Sequence, residues 1–259
     1  MRKEDSYVKK ILAIAIPIML SNLISQLQML IDRIFIGHLS LESMSAVGNA
    51  TTPMWTTMSC IFALTTGATI LVSQAYGADK LERARQLLAA LFKYNNVLGF
   101  ALFLFWLLCP GVAFSLMGVD ESIMGMAVDY ARFFSPIFIL TGIGASVSCM
   151  LEVSQKTRVM IWYGVSRSVA NVILDYVMIF GHFGFPAMGV KGAALATTIA
   201  ELFGNLILMI YVLRVKNMPL KPSFAMILKA GLNTFSETVR YGIPAACEEF
   251  AWNLGNLYL

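Results

Sequence analysis

Apolar residues follow one another in long unbroken runs, and polar residues collect in the short segments between them. At the rise of an α-helix, about 20 mostly apolar residues cross a bilayer. Six runs reach that length: Ile11–Ile36, Val47–Gln74, Leu87–Met117, Met124–Leu151, Val159–Phe180 and Val190–Leu213. A seventh starts near Val239 and is still running at Leu259. The runs are continuous rather than alternating, which predicts spanning helices and not the strands of a barrel. The predicted fold is all-α, a polytopic transmembrane helix bundle.

Composition agrees with a lipid environment. Charged residues are 13% of the 259 and apolar residues 58%, against about 25% charged in ordinary soluble domains; the mean hydropathy is +0.72. The net charge of +4 invites a nucleic-acid partner, but its placement argues against one. With a cytoplasmic N-terminus, fourteen of the nineteen basic residues fall on the inner side: Arg2, Lys3, Lys9, Lys10, Lys80, Arg83, Arg85, Lys156, Arg158, Arg214, Lys216, Lys221, Lys229 and Arg240. The outer loops near His38, Asp120 and Phe185 carry only Lys191. That asymmetry predicts a multi-pass protein of the cell (inner, cytoplasmic) membrane with its N-terminus inside. The first run is too long for a signal-peptide core and is kept as a helix. Cys60, Cys109, Cys149 and Cys247 lie one per span and are expected to be buried, unpaired thiols.

Connections are short, and the longest, from Arg214 to about Val239, carries Pro219, Pro222 and several lysines. It reads as a cytoplasmic linker. Ala15-Ile-Pro17 at the start of span one is matched by Gly242-Ile-Pro244 at the start of span seven, with Asn22 beside Glu249 and Gln26 beside Asn253. An internal repeat of six helices follows, a recurrent plan in secondary transporters. The predicted organisation is a six-helix lobe over residues 1–213, an inter-lobe linker over 214–238, and the first helix of a second lobe over 239–259. On this plan the chain is a fragment or truncated product of a twelve-helix, two-lobe protein.

Ionisable residues inside a membrane helix are functional candidates. Asp32 lies about 32 Å from the inner start of span one, and Asp175 about 24 Å into span five. Thr197 of span six and Tyr130 of span four reach a similar depth from the other side. Asn171 is four residues before Asp175 and so shares its face. One layer of the outer half thus gathers two carboxyls, an amide, a hydroxyl and a phenol, which suits Na+ held by oxygens or a proton shared by close carboxyls. The alternative leaves Asp32 at headgroup level beside Arg33. Pro17 removes a backbone hydrogen bond near the start of span one and is a candidate bend. Glu201, with Thr197 and Asn205 on its face, is a further polar ligand or a protonated acid bonded to neighbouring helices. Gln26 is another candidate, Asp129 and Arg132 are expected to pair locally, and Glu248 and Glu249 are left without a role. Small residues at Gly142-Ile-Gly144-Ala145-Ser146 and Gly192–Ala196 predict close helix packing.

These residues resemble the multidrug and toxin extrusion (MATE) family along the whole chain. The resemblance is carried by Pro17 followed by Asp32-Arg-Ile-Phe-Ile-Gly37, by Gly67-Ala-Thr-Ile-Leu-Val-Ser-Gln74-Ala-Tyr-Gly77, and by Asn171-Val-Ile-Leu-Asp175 with Ile179-Phe-Gly181 and Gly189-Val-Lys-Gly192-Ala-Ala-Leu-Ala-Thr197. It implies two six-helix lobes around a central cavity, monomeric when full length, exporting organic cations or drugs against inward Na+ or H+, with no cofactor beyond that ion. The family's first-lobe cation site falls on Asp32, Asn171, Asp175 and Thr197, with Tyr130 nearby, and Pro17 matches the proline at which its first helix is held to bend. The loop Leu151–Arg158 departs from the family's usual Arg and Gly-Asp. A lipid-linked saccharide flippase of the same superfamily is the alternative, expected to have a more basic cavity; an inactive truncated product is another. An intramembrane enzyme is disfavoured: His38 and His182 fall in outer loops, and neither His-Glu-x-x-His nor Gly-x-Ser-x-Gly occurs.

Overall fold

A computed structural model describes residues 2–215 and 218–257, with side chains described at 11–12, 15–215, 218–244 and 247. The expectations on Arg2, Lys3, Lys9, Lys10, Lys216, Glu248, Glu249 and Asn253 concern side chains outside that set. Each apolar run forms helix: α1 Arg2–Gly37, α2 Leu41–Gly77, α3 Leu81–Leu108, α4 Pro110–Leu116, α5 Glu121–Phe134, α6 Ile137–Val153, α7 Arg158–Phe180, α8 Val190–Arg214, α9 Phe224–Lys229 and α10 Leu232–Leu257.

Local chemistry sets the boundaries. The Ser40 hydroxyl accepts the Ser43 N–H at 3.0 Å to start α2, a Ser N-cap that satisfies an otherwise free donor. Asp120 does the same for α5 through the Ser122 N–H at 2.8 Å, and that bond holds its exposed carboxyl below the usual range. α7 ends at Gly181 with φ +76°, where only glycine turns without strain. Two runs read as single spans are broken by proline. The third stops at Cys109, and Pro110 opens the short α4, since proline suits a first helical turn better than an interior. The fourth bends by 41° between α5 and α6, at Ser135–Pro136. The helix expected from Val239 starts earlier, at Leu232, and contains Pro244.

Ala15–Gly37, α2, α3 and α8 are long and apolar enough to cross a membrane, and the bent α5–α6 pair makes a fifth such unit. α7, at 23 residues, is as long, but Arg158, Arg167, Asn171 and Asp175 lower its apolarity. Its polar face is turned into the bundle against α1 and α8. Outward, α1 shows Met19, Leu23, Leu27, Leu30 and Ile34, all largely exposed. Their spacing of three and four makes one stripe, and Trp162, Ile173 and Leu213 extend the apolar exterior, which calls for lipid rather than water.

Two apolar clusters close the bundle at its two ends. Met54, Met58, Trp106, Phe114, Phe138 and Ile179 belong to the first, on the α1–α2 end; Leu88, Met150, Leu151, Leu208 and Leu220 belong to the second, at the opposite end. Helices approach closely where small residues sit: a Cβ on Gly142 would lie 2.8 Å from the Asn95 carbonyl oxygen, and one on Gly192 2.6 Å from that of Met178. Of the four thiols expected to be buried, only Cys149 is; Cys60, Cys109 and Cys247 are exposed on helix surfaces, and all four are free. An apolar exterior lets a thiol face outward as readily as inward.

A polar layer shared by the first, seventh and eighth helices

α1 and α7 lie side by side and cross in the same direction. Facing positions meet as a ladder. Ser21 abuts Gly164, whose Cβ would sit 2.7 Å from the Ser21 hydroxyl. One turn on, the Arg167 guanidinium donates to Ser25 Oγ at 2.7 Å. Next, Gln28 Nε2 donates to Asn171 Oδ1 at 2.7 Å. At the top, Asp32 and Asp175 lie within direct interaction range of one another. The steps of three and four residues on each helix keep these groups on facing stripes.

α8 closes the layer. Asn171 Nδ2 donates to Thr197 Oγ1 at 3.3 Å, and that hydroxyl donates to the Ala193 carbonyl at 3.0 Å. Asn171 and Asp175 are essentially inaccessible, and Gln28 is nearly so. Asp32, Gln28, Thr197 and Tyr130 line a cavity of about 400 Å³, together with Met29, Met44, Trp55 and Arg167. Tyr130 stacks on Phe134 with centroids 5.4 Å apart, which fixes its ring on the wall. Asp32 therefore faces the interior and the cavity, not the headgroups. Among the described residues, Asp32 Oδ1 and both Asp175 carboxyl oxygens are buried without a hydrogen-bond partner. Buried carboxyl oxygens with no donor favour a cation, either a proton or a metal ion held by oxygens.

The remaining candidates are placed as follows. Pro17 is buried within a continuous α1, about 22 Å along the helix from Asp32. Gln26 lines the same cavity. Glu201 is joined to a neighbouring helix: Arg167 Nη1 lies 3.2 Å from Oε2, while Tyr163 Oη donates to Oε1 at 2.7 Å and Asn205 Nδ2 at 3.3 Å. Asp129 does not pair with Arg132; it meets Lys191 across α5 and α8 at 2.9 Å. Residues three apart were within reach, but the start of α8 brings a lysine to the same corner.

Two residues of the layer escaped the sequence reading, Gln28 and Arg167. Each sits one turn before a candidate, Gln28 before Asp32 and Arg167 before Asn171, so the four-residue step would have found both.

The sequence profile of MatE matches residues 17–177. The chain is 30% identical over 256 residues to the probable multidrug resistance protein NorM of Thermotoga maritima, covering 96% of this chain and 53% of that protein. It is 26% identical over 234 residues to the probable multidrug resistance protein YoeA of Bacillus subtilis, covering 89% and 50%. The fold is similar to the outward-facing conformation of a multidrug resistance MATE family transporter of the MOP superfamily, at a TM-score of 0.85, 20% identity, and coverage of 96% of this chain and 54% of that one. The chain spans about half the length of the relatives it matches.

Proposed function

The chain belongs to the MatE family, and from that premise we propose that it forms the cation-coupling half of a secondary active efflux transporter. The exported compounds are organic cations or drugs, moved against inward Na+ or H+. Asp32, Asn171, Asp175 and Thr197 hold the coupling ion, with Tyr130 on the adjoining wall. The membrane is the cell (inner) membrane, the N-terminus is cytoplasmic, and the basic loops set that orientation.

One observation carries the reading: buried carboxyl oxygens from two helices, without donors, beside a cavity lined by Met29, Met44, Trp55 and Phe134. Pliable methionines and aromatic faces suit varied apolar cations, and the same acids in a low dielectric attract a small ion strongly. A substrate cation and a coupling ion would then compete for one patch of negative charge, which is the condition for exchange. Pro17 leaves the carbonyl one turn before it without a backbone donor, so α1 can bend there as the charge of the layer changes.

The test uses inside-out vesicles carrying the longest native form of the chain, an imposed Na+ or H+ gradient, and a fluorescent organic cation. Gradient-driven accumulation is expected in wild type, with a loss of tenfold or more in Asp175→Asn at equal protein level. Accumulation unchanged in the variant would move coupling elsewhere. Arg167, together with Arg33 on the cavity wall, favours a second reading, a flippase for an anionic lipid-linked saccharide. That reading expects no gradient-driven cation uptake in either protein.

A further inference from the structure

We propose that α9 and the first turn of α10 form an in-plane anchor at the inner leaflet of the membrane. Phe224, Leu228 and Leu232 enter the apolar boundary of the bilayer, while Lys221 and Lys229 hold the headgroups of anionic phospholipid. The choice of leaflet rests on the orientation proposed above; the contact with lipid does not.

The segment between α8 and α10 is fixed to the first lobe on both sides of α9. Before α9, Met218 and Leu220 are buried in the second apolar cluster, and Arg85 Nε donates to the Pro219 carbonyl at 2.6 Å. The Ser223 hydroxyl accepts the Met226 N–H at 3.3 Å and starts the helix. At its far end, Lys93 Nζ donates to the Leu228 and Ala230 carbonyls at 2.9 and 2.8 Å, and Tyr94 Oη to that of Ala230 at 3.3 Å. A backbone held in this way could turn its large apolar side chains onto α3. Instead Phe224 is 74% exposed, Leu228 60% and Leu232 69%. Phe224 and Leu228 are one turn apart and share a face.

α3 shows what lies at that level. Lys93, Val97, Phe100, Leu104 and Leu108 follow in steps of three and four, one stripe along the outside of the helix. From Val97 onward the stripe is apolar and exposed, whereas the first turns of α3 carry Glu82, Arg83, Arg85 and Gln86. Water therefore gives way to hydrocarbon close to Lys93, which is about 6 Å from Val97 along the axis. The two bonds from Lys93 bring the end of α9 to that height. Apolar side chains held outward there continue the lipid-facing belt at headgroup depth.

The charge of this corner fits the same partner. Arg83 pairs with Glu237 and Arg85 with Glu82, so these acids are taken up within the protein. Lys221 and Lys229 flank Phe224 and Leu228 in the chain; both are exposed and, among the described residues, in no ion pair. A protein face covering the apolar pair would also have to supply acids for both lysines. Anionic headgroups supply that charge along a whole surface.

The experiment is photocrosslinking of the full-length natural protein in nanodiscs of phosphatidylcholine with a minor share of phosphatidylglycerol. A benzophenone side chain is placed at Phe224, Leu228 or Val97 in turn, and the mass of each adduct identifies its partner. Lipid adducts are expected at all three. At Phe224 and Leu228, phosphatidylglycerol should exceed its share about threefold or more. That excess should vanish in the double variant Lys221→Gln, Lys229→Gln, persist in Lys221→Arg, Lys229→Arg, and weaken in high salt. Val97, within the belt, should show none of these changes. Either α9 position carries the test if the other variant does not fold.

Adducts from Phe224 and Leu228 to another segment of the protein would mean that the second lobe covers this face, and would overturn the anchor. No adduct at either, with Val97 still labelled, would place α9 in water and overturn it equally. Lipid adducts without enrichment, or enrichment that survives Lys221→Gln, Lys229→Gln, would overturn the role of the lysines. Nanodiscs expose both faces alike and no gradient is imposed, so none of these results depends on the transport reading.

Discussion

Glu201→Gln is expected to destabilise the protein by about 3 kcal/mol, and Arg167→Gln in the same background to restore most of that loss. The pair joins α7 to α8 with both side chains largely buried, Glu201 at 7% and Arg167 at 18% exposure. Removing the carboxylate leaves a guanidinium whose remaining close acceptor, among the described residues, is Ser25, with Arg167 Nε already buried and without a partner there. The lower end of the range for breaking a buried pair applies, because Arg167 reaches the cavity wall. Glutamine preserves the contacts from Tyr163 and Asn205, so the loss reports the charge and not those bonds. At about 2–4 °C per kcal/mol for a domain of this size, thermal unfolding in detergent should shift by roughly 6–12 °C in the single variant. The two changes form a double-mutant cycle, which isolates the coupling. A double variant as unstable as the sum of the singles would mean that the two charges do not stabilise one another.

That ion pair also marks where the sequence stopped being readable. Depth along the helices was enough to bring Asp32, Asn171, Thr197 and Tyr130 to one level, because a spanning helix advances a fixed distance per residue and its direction follows from the loops. Partners across a helix interface are set by rotation about the axis, and depth alone says nothing of rotation. Gln26 was singled out through its match to Asn253 in the repeat, yet the stripe facing α7 runs through Ser21, Ser25, Gln28 and Asp32. The four-residue step that joins Asn171 to Asp175 also reaches Arg167, a cation on a face that otherwise shows only an amide and an acid. Depth alone leaves Glu201 without its counter-charge. The two broken runs have a similar origin. Pro110 and Pro136 interrupt α-helical hydrogen bonding but not hydrophobicity, so a reading by apolar length passes through them. Pro53, inside an unbroken α2, shows that proline by itself does not predict where such a break falls.

Gly67→Leu is expected to cost about 1–3 kcal/mol and to loosen α10 from α2, with Gly77→Leu close to neutral. Gly67 belongs to one of the motifs that carry the family resemblance, and its physical reason is a backbone contact. A Cβ there would run into the Thr238 carbonyl and the Gly242 amide, while one on Gly242 would lie 2.6 Å from the Ala63 carbonyl oxygen. Two backbones meet at this point, so nothing at the far end of a flexible side chain can yield, and the helices must part. Around the crossing, Tyr94 and Phe235 stack at 4.2 Å, Arg83 pairs with Glu237, and Lys93 donates to the carbonyls of Leu228 and Ala230 at 2.9 and 2.8 Å. Separation at Gly67 would strain each of these along with the crossing. Gly77, at the end of the same helix, has nothing within 4 Å of its Cβ, so the same added volume meets no backbone. Thermal unfolding of the two variants decides between close packing and general intolerance of α2 to bulk. A midpoint several degrees lower for Gly67→Leu alone supports the contact; equal midpoints would mean that α10 does not depend on it.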